Sequence, residues 1–249
     1  MRKLEDYKRI ISIGDIHGHY VKAVELWEKI RFNDGEDLLI FHGDYIDRGA
    51  ESVRTLQFVK SLVESHENII ALKGNHEDFM QNFFEIYSIE DADWWNLYDL
   101  WLDPRNGGDV TLKQLRKLDR REFYKLLRFV RQLPLHLELG DYFFVHAGVH
   151  PCKENPAEQT ERDFLWIRDK FLKYYRGKQT VVAGHTPVQY LDRTCTSPYL
   201  LSNNILLIDT GTAFGQELSA VNVLDMTYMQ SGSPTAEWKE IRISRNKVL

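Results

Sequence analysis

The chain has 249 residues, 43% of them hydrophobic and 28% charged, with a formal net charge of −5 at neutral pH. That balance suits a globular protein with a sizeable core and speaks against nucleic acid as the main partner, which requires clustered positive charge. The N-terminus carries no apolar leader, no apolar run is long enough to span a bilayer, and Cys152 and Cys195 lack the spacing of a disulfide or zinc framework, so a cytoplasmic protein without a membrane partner is expected.

Taken in chain order, Arg9–Ile13 reads as a strand, and Val21, Val24, Trp27 and Ile30 then fall at helical spacing. Asp37–His42 is the next strand, followed by a helix carrying Val53, Leu56, Val59 and Val63. Asn68–Lys73 predicts a third strand, and Met80, Phe83, Phe84 and Tyr87 a further helix. This alternation implies βαβ units. Next comes a basic run, Lys113, Arg116, Lys117, Arg120, Arg121, Lys125, Arg128 and Arg131, interleaved with Phe123, Leu126, Leu127 and Val130, which is the pattern of a solvated helix face. Leu135–Leu139 and Tyr142–His146 around Gly140-Asp141 predict a hairpin. One helix is expected near Arg162–Tyr174, and strands at Thr180–Ala183, Ile205–Ile208, Leu218–Leu224 and Glu237–Ile243. No repeat or linker divides the sequence. The expectation is a single domain over residues 1–249, of α/β (α+β) class, with two packed sheets and helices on their outer faces.

Five short stretches each follow an apolar strand: Gly14-Asp15-Ile16-His17-Gly18, Gly43-Asp44-Tyr45-Ile46-Asp47-Arg48-Gly49, Gly74-Asn75-His76-Glu77, His146-Ala147-Gly148 and Gly184-His185-Thr186. Loops at strand ends are where α/β folds present functional groups. Asp15, His17, Asp44, Asn75, His146 and His185 offer carboxylate, imidazole and amide ligands without a thiolate. Such a set suits manganese, iron or zinc rather than copper(I) or an iron–sulfur cluster. Six ligands exceed the needs of one four-coordinate ion; a bridging carboxylate accounts for them with two ions roughly 3.5–4 Å apart. With two aspartates and a bridging hydroxide such a pair keeps about one positive charge, matched to a phosphate, and it generates a nucleophile at neutral pH.

In these five motifs and their order the sequence resembles the phosphoprotein phosphatase branch of the calcineurin-like metallophosphoesterases, from about Ile10 to Leu224. The resemblance implies a four-layer β-sandwich flanked by helices. It implies that Asp15, His17 and Asp44 hold one metal ion and Asp44, Asn75, His146 and His185 the other, with Asp44 as the bridge and manganese as the expected ion. By the same resemblance Arg48, Arg168 and Asn75 bind the substrate phosphate, and His76, oriented by Asp47, protonates the leaving group while the metal-bridging hydroxide attacks phosphorus in line. Asn106-Gly107-Gly108 and Asp209-Thr210-Gly211 match compact bacterial and phage-type members, and the eukaryotic Ser-Ala-Pro-Asn-Tyr loop is absent. His19 and His42 depart from the family pattern and are expected to serve packing or hydrogen bonding, as are His66, His136 and His150.

The implied activity is hydrolysis of phosphomonoesters, above all of phosphoserine and phosphothreonine in proteins. A phosphorylated protein or a small phosphoester is the expected partner. Hydrolysis of dinucleoside polyphosphates such as diadenosine tetraphosphate is the enzymatic alternative, and a non-catalytic metal-binding scaffold the further one. The segment carrying Trp94, Trp95, Tyr98 and Trp101 is expected to pack as core or lid rather than stack a nucleobase.

Overall fold

The computed structural model describes residues 3–89, 99–153, 155 and 158–243. The elements run β1 (Arg9–Ile13), α1 (Tyr20–Ile30), β2 (Asp37–Phe41), α2 (Ser52–Ser65), β3 (Ile69–Ala71), α3 (Asn75–Ile86), α4 (Gly108–Leu115), α5 (Arg120–Gln132), β4 (His136–Leu139), β5 (Tyr142–Val145), α6 (Glu161–Trp166), α7 (Asp169–Tyr174), β6 (Thr180–Ala183), β7 (Tyr199–Leu201), β8 (Ile205–Leu207), β9 (Ser219–Asn222), β10 (Thr227–Gln230), β11 (Lys239–Glu240) and β12 (Arg242–Ile243). They form two six-stranded sheets, ordered β11-β10-β9-β1-β2-β3 and β12-β7-β8-β6-β5-β4.

Strand periodicity makes four layers of this. In β2 every residue is buried, because Leu39 and Phe41 face the helices while Leu38 and Ile40 face the other sheet. The second sheet mirrors it: Phe144, Val182 and Leu206 point between the sheets, and Phe143, Val145, Val181, Ala183, Ile205 and Leu207 point outward under α6 and α7. On the far side of the first sheet, α1 to α5 bury one apolar stripe each, in α5 Phe123, Leu126, Leu127 and Val130. The order of layers is therefore helix, sheet, sheet, helix, as the resemblance implies. Strands β1, β2 and β3 are mutually parallel, as are β5, β6 and β8, so the loops that follow them gather at one end of each sheet.

Three sequence readings are corrected. The helix expected near Arg162–Tyr174 is two helices, broken at Ile167 and Arg168, where Arg168 takes φ −134° and ψ −95°. Both halves still bury their apolar residues, Phe164 and Phe171 among them. The strand expected over Glu237–Ile243 is two short strands in opposite sheets, and Ile241 between them is buried in the inter-sheet core. The basic run is likewise split. Asp119 caps α5 by accepting a hydrogen bond from the Glu122 amide (2.9 Å), and the basic residues on the helix are exposed as expected. Strands β7 and β10 were not among the sequence-predicted elements. Trp94, Trp95 and Tyr98 lie outside the described residues.

Candidate metal centre and catalytic groups

The strand-end loops of both sheets converge, and their backbone is driven into conformations that side chains seldom adopt. Of the eight described non-glycine residues with positive φ, five are sequence-predicted site residues: His17, Asp44, Asp47, Arg48 and His185. Left-handed backbone at non-glycine residues costs energy and persists where surrounding structure over-determines it. Gly43, at φ 92°, shows how close the loops come, since a Cβ there would collide with the Gly74 backbone. That approach puts Asp44 beside Asn75 and His76, and the His76 amide donates to Asp44 Oδ1 (3.1 Å).

The buried ligand atoms fall into two groups sharing one carboxylate. His17, Asp44 and His76 lie with ligand atoms within 4.8 Å of one another, as do Asp44, His146 and His185. Asp44 Oδ2 is 3.5 Å from His17 Nε2, and Asp44 Oδ1 is 3.4 Å from His146 Nε2. One carboxylate thus faces both groups, the disposition a bridging ligand requires. Asp15 sits at the seam, where both its oxygens accept from the His185 amide (3.1 and 3.0 Å).

Several features fit bound cations. His17 Nδ1 donates to the Ile46 carbonyl (3.1 Å) and His146 Nδ1 to the His42 carbonyl (2.7 Å), which leaves each Nε2 as a lone pair turned inward. His146 Nε2 then faces Asn75 Oδ1 at 2.9 Å, two acceptors converging where a cation would relieve the repulsion. Guanidinium protons take similar positions beside His17 and His185. Arg48 Nη1 donates to His17 Nε2 (2.7 Å) and Arg168 Nε to His185 Nε2 (3.0 Å). The donor set is nitrogen and oxygen only, which suits divalent ions of the first transition row.

The histidines divide by protonation. Burial lowers His17, His146 and His185 below the ordinary imidazole value, so all three are neutral and able to ligate. Burial acts on His76 in the same direction, but the charges of Asp44 and Asp47 and a 2.7 Å hydrogen bond from Nδ1 to Asp47 Oδ2 outweigh it and raise its pKa. His76 is therefore the one site histidine disposed to carry a proton. Asp47 is held in turn by Thr111 Oγ1 (2.5 Å) and Trp101 Nε1 (2.8 Å), so the buried Trp101 packs in the core as expected. Burial alone would raise the Asp44 carboxyl, yet it is held below the usual carboxylate range, with the charge of His76 among the causes.

All ten sequence-predicted residues meet at this centre, but others there were not assigned. Glu77 accepts from the Asp44 and Tyr45 amides (2.8 Å each) and from the Gly74 amide (3.0 Å), latching the second motif to the third. Asp209 follows β8 and is buried near Asp15 and Asp44. The signal for Glu77 is its place in Gly74-Asn75-His76-Glu77; nothing in the sequence links Thr111 or Trp101 to Asp47, which lies 64 and 54 residues away. His42 is no ligand: Nδ1 donates to the Val145 carbonyl (3.0 Å) and Nε2 pairs with Ser12 Oγ (3.1 Å), crossing between the sheets. His19 bonds its own turn, and His66 pairs with Asp34 (3.4 Å).

A sequence profile of the calcineurin-like phosphoesterase family matches residues 8–211. The chain is 30% identical over 225 residues to serine/threonine-protein phosphatase 2 of Salmonella typhimurium, covering 86% of this chain and 92% of that one. It is 29% identical over 241 residues to the asymmetrical bis(5'-nucleosyl)-tetraphosphatase PrpE of Geobacillus sp., covering 85% and 89%. A solved structure described as a candidate diadenosine tetraphosphatase superposes with a TM-score of 0.65 at 19% identity, covering 92% of this chain and 95% of that one, and so shares the fold.

Proposed function

Because the chain belongs to the calcineurin-like phosphoesterase family and is a metal-dependent hydrolase of phosphate esters, we propose that it is a two-metal phosphomonoesterase acting on phosphoserine and phosphothreonine in proteins. The whole chain is read as one catalytic domain in the cytoplasm, with manganese as the working ion and iron or zinc as substitutes. Asp15, His17 and Asp44 would hold one ion; Asp44, Asn75, His146 and His185 would hold the other. Bound there, the ions would lower the pKa of a shared water and polarise the phosphoryl oxygens.

The rest is done by the chain. Arg48 and Arg168 are exposed at the mouth while the ligands are buried. Each guanidinium would turn from its histidine to the phosphate oxygens, which it binds as a planar fork, and the Asn75 amide would help hold the phosphate. His76 would give its proton to the departing alkoxide, and Asp47 would keep the imidazole aimed and charged. No covalent bond to the chain is formed in this scheme.

The observation that carries this reading is the buried Trp101 and Thr111 to Asp47 to His76 relay. A serine or threonine alkoxide is a poor leaving group and needs a proton, whereas a nucleotide phosphate departs without one. A second reading, dinucleoside polyphosphate hydrolysis, is favoured by the name of the PrpE relative. Phosphate release in manganese from a phosphothreonine peptide and from diadenosine tetraphosphate, for wild type and His76→Asn, separates the two. Peptide cleavage that is lost in the variant supports the phosphatase; a preference for the dinucleotide that survives the substitution assigns the other activity.

A further inference from the structure

On the outer face of the second sheet a cavity of about 520 Å³ opens between two loops, and none of its lining residues belongs to the candidate metal centre. Its floor is apolar: Phe143 and Val181, paired across β5 and β6, with Val149 and Tyr175 beside them. Phe143 and Val181 precede His146 and His185 by three and four residues. At the rise of a strand the floor therefore lies roughly 10–13 Å from those ligands.

The rim is basic. Lys153, Arg176 and Lys178 line it with His150, and no described acidic side chain does. Lys153 is committed to Asp163 (2.7 Å). Arg176 and Lys178 are exposed, and neither meets a carboxylate among the described residues; Arg176 Nη1 donates to the Tyr175 carbonyl (2.5 Å). Both walls are braced. On one side Gln159 Oε1 accepts from the His150 amide (2.7 Å), and its Nε2 donates to the Lys153 carbonyl (2.8 Å). On the other, the chain folds back over Tyr175, whose hydroxyl donates to the Gln179 carbonyl (2.9 Å), and a Cβ on Gly177 would collide with that phenol. Gln179 Nε2 ties this turn to Glu138 Oε1 (2.9 Å) and the Gly140 carbonyl (3.1 Å). Arg176 and Lys178 are thus carried on a fixed turn, one on each side of Gly177.

An inorganic anion would use this rim and leave the apolar floor wet. A neutral apolar molecule would cover the floor and leave the two cations unmatched. A ligand with both an apolar ring and a dianionic phosphate gains from each, since burial of the ring removes apolar surface from water and a guanidinium fork beside an ammonium suits phosphate oxygens. The volume is that of a pocket for a small organic molecule.

We propose that this cavity is a second ligand site, which takes a small organic phosphate with its ring on the floor and its phosphate on Arg176 and Lys178. The site stands independently of the phosphatase reading. Its walls nevertheless lead to the metal centre. Val149 and His150 follow closely on His146, and Tyr175 caps the end of α7, the helix that starts from Arg168. A bound ligand would rest on both segments.

Calorimetric titration in manganese tests this with two phosphonates, which have no ester bond to hydrolyse: benzylphosphonate, and methylphosphonate, which lacks the ring. Benzylphosphonate should bind at one more site per chain than methylphosphonate. That additional site should weaken at least about thirtyfold in Arg176→Ala/Lys178→Ala, which removes two charge-assisted contacts, and should persist in Arg176→Lys/Lys178→Arg. Both positions are exposed, so the variants are expected to fold. Equal numbers of sites for the two compounds, or an additional site unmoved by the alanine variant, would overturn the proposal. A methylphosphonate site that is lost in the alanine variant would also overturn it, by making the rim a site for anions alone. The methylene phosphonate analogue of AMP identifies the source of the ligand. Tighter binding than benzylphosphonate at the additional site supports a nucleoside phosphate, and weaker binding supports a simple aryl phosphate.

Discussion

The loops of the two sheets contribute unequally to the centre. Those after β1, β2 and β3 bring Asp15, His17, Asp44, Asp47, Arg48, Asn75 and His76, and they hold one another: Glu77 takes four of their amides, and Thr111 and Trp101 fix Asp47. Those of the second sheet bring His146, Arg168 and His185, and lean on the first. His146 is aimed by the His42 carbonyl, and the His185 amide rests on Asp15. The first half is thus a self-supported frame and the second a set of ligands aligned by docking onto it. The centre is completed only when the sheets pack, which links the inter-sheet core directly to metal binding.

Removing the group common to both halves should have the largest effect. Asp44→Asn takes away the carboxylate facing both ligand groups and should cost at least about a thousandfold in kcat, with loss of bound metal. Activity within tenfold of wild type would break the bridging assignment. Within the frame, His76→Asn should lower kcat by about 10²–10⁴ while leaving metal content unchanged, since the proton donor is lost and no ligand is. Metal lost along with activity would instead make His76 a ligand, as its nearness to His17 and Asp44 allows.

Self-support is tested by Glu77→Gln. It substitutes an amide that can satisfy fewer of the donated backbone hydrogens and should destabilise the protein by about 1–3 kcal/mol, read as a lower denaturation midpoint. An unchanged midpoint would mean the frame does not depend on the latch. The smallest effect concerns pH. Burial pushes the Asp209 carboxyl up to about 6, with the Asp44 charge adding to it. A carboxyl raised above its unfolded value keeps its proton in the folded state, so the metal-free protein loses stability as pH climbs from about 4 through that value. Bound divalent ions supply the missing positive charge. The rise in Tm on adding manganese should therefore be larger at pH 8 than at pH 5, and an equal rise at both would contradict the linkage.

Much of this was legible in the sequence because motif and strand end coincide. The apolar runs at Arg9–Ile13 and Thr180–Ala183 match the observed strands residue for residue, and each of the five loops follows a strand. What escaped depends on long-range contact. A helix reading over Arg162–Tyr174 could not anticipate the break at Ile167 and Arg168, because Phe164 and Phe171 keep helical spacing across it and the bond from Arg168 to His185 exists only in the folded chain. Trp101 and Thr111 could not be assigned to Asp47.

The proposed mechanism turns on a two-metal phosphoesterase centre shared between the sheets. Its most direct test is metal content by elemental analysis alongside phosphate release from a phosphothreonine peptide, before and after chelation and on return of manganese. Two ions per wild-type chain, loss of activity with their removal, and recovery as the second ion returns are the expected results. Full activity in the presence of chelator, or full activity with a single ion bound, would contradict the mechanism.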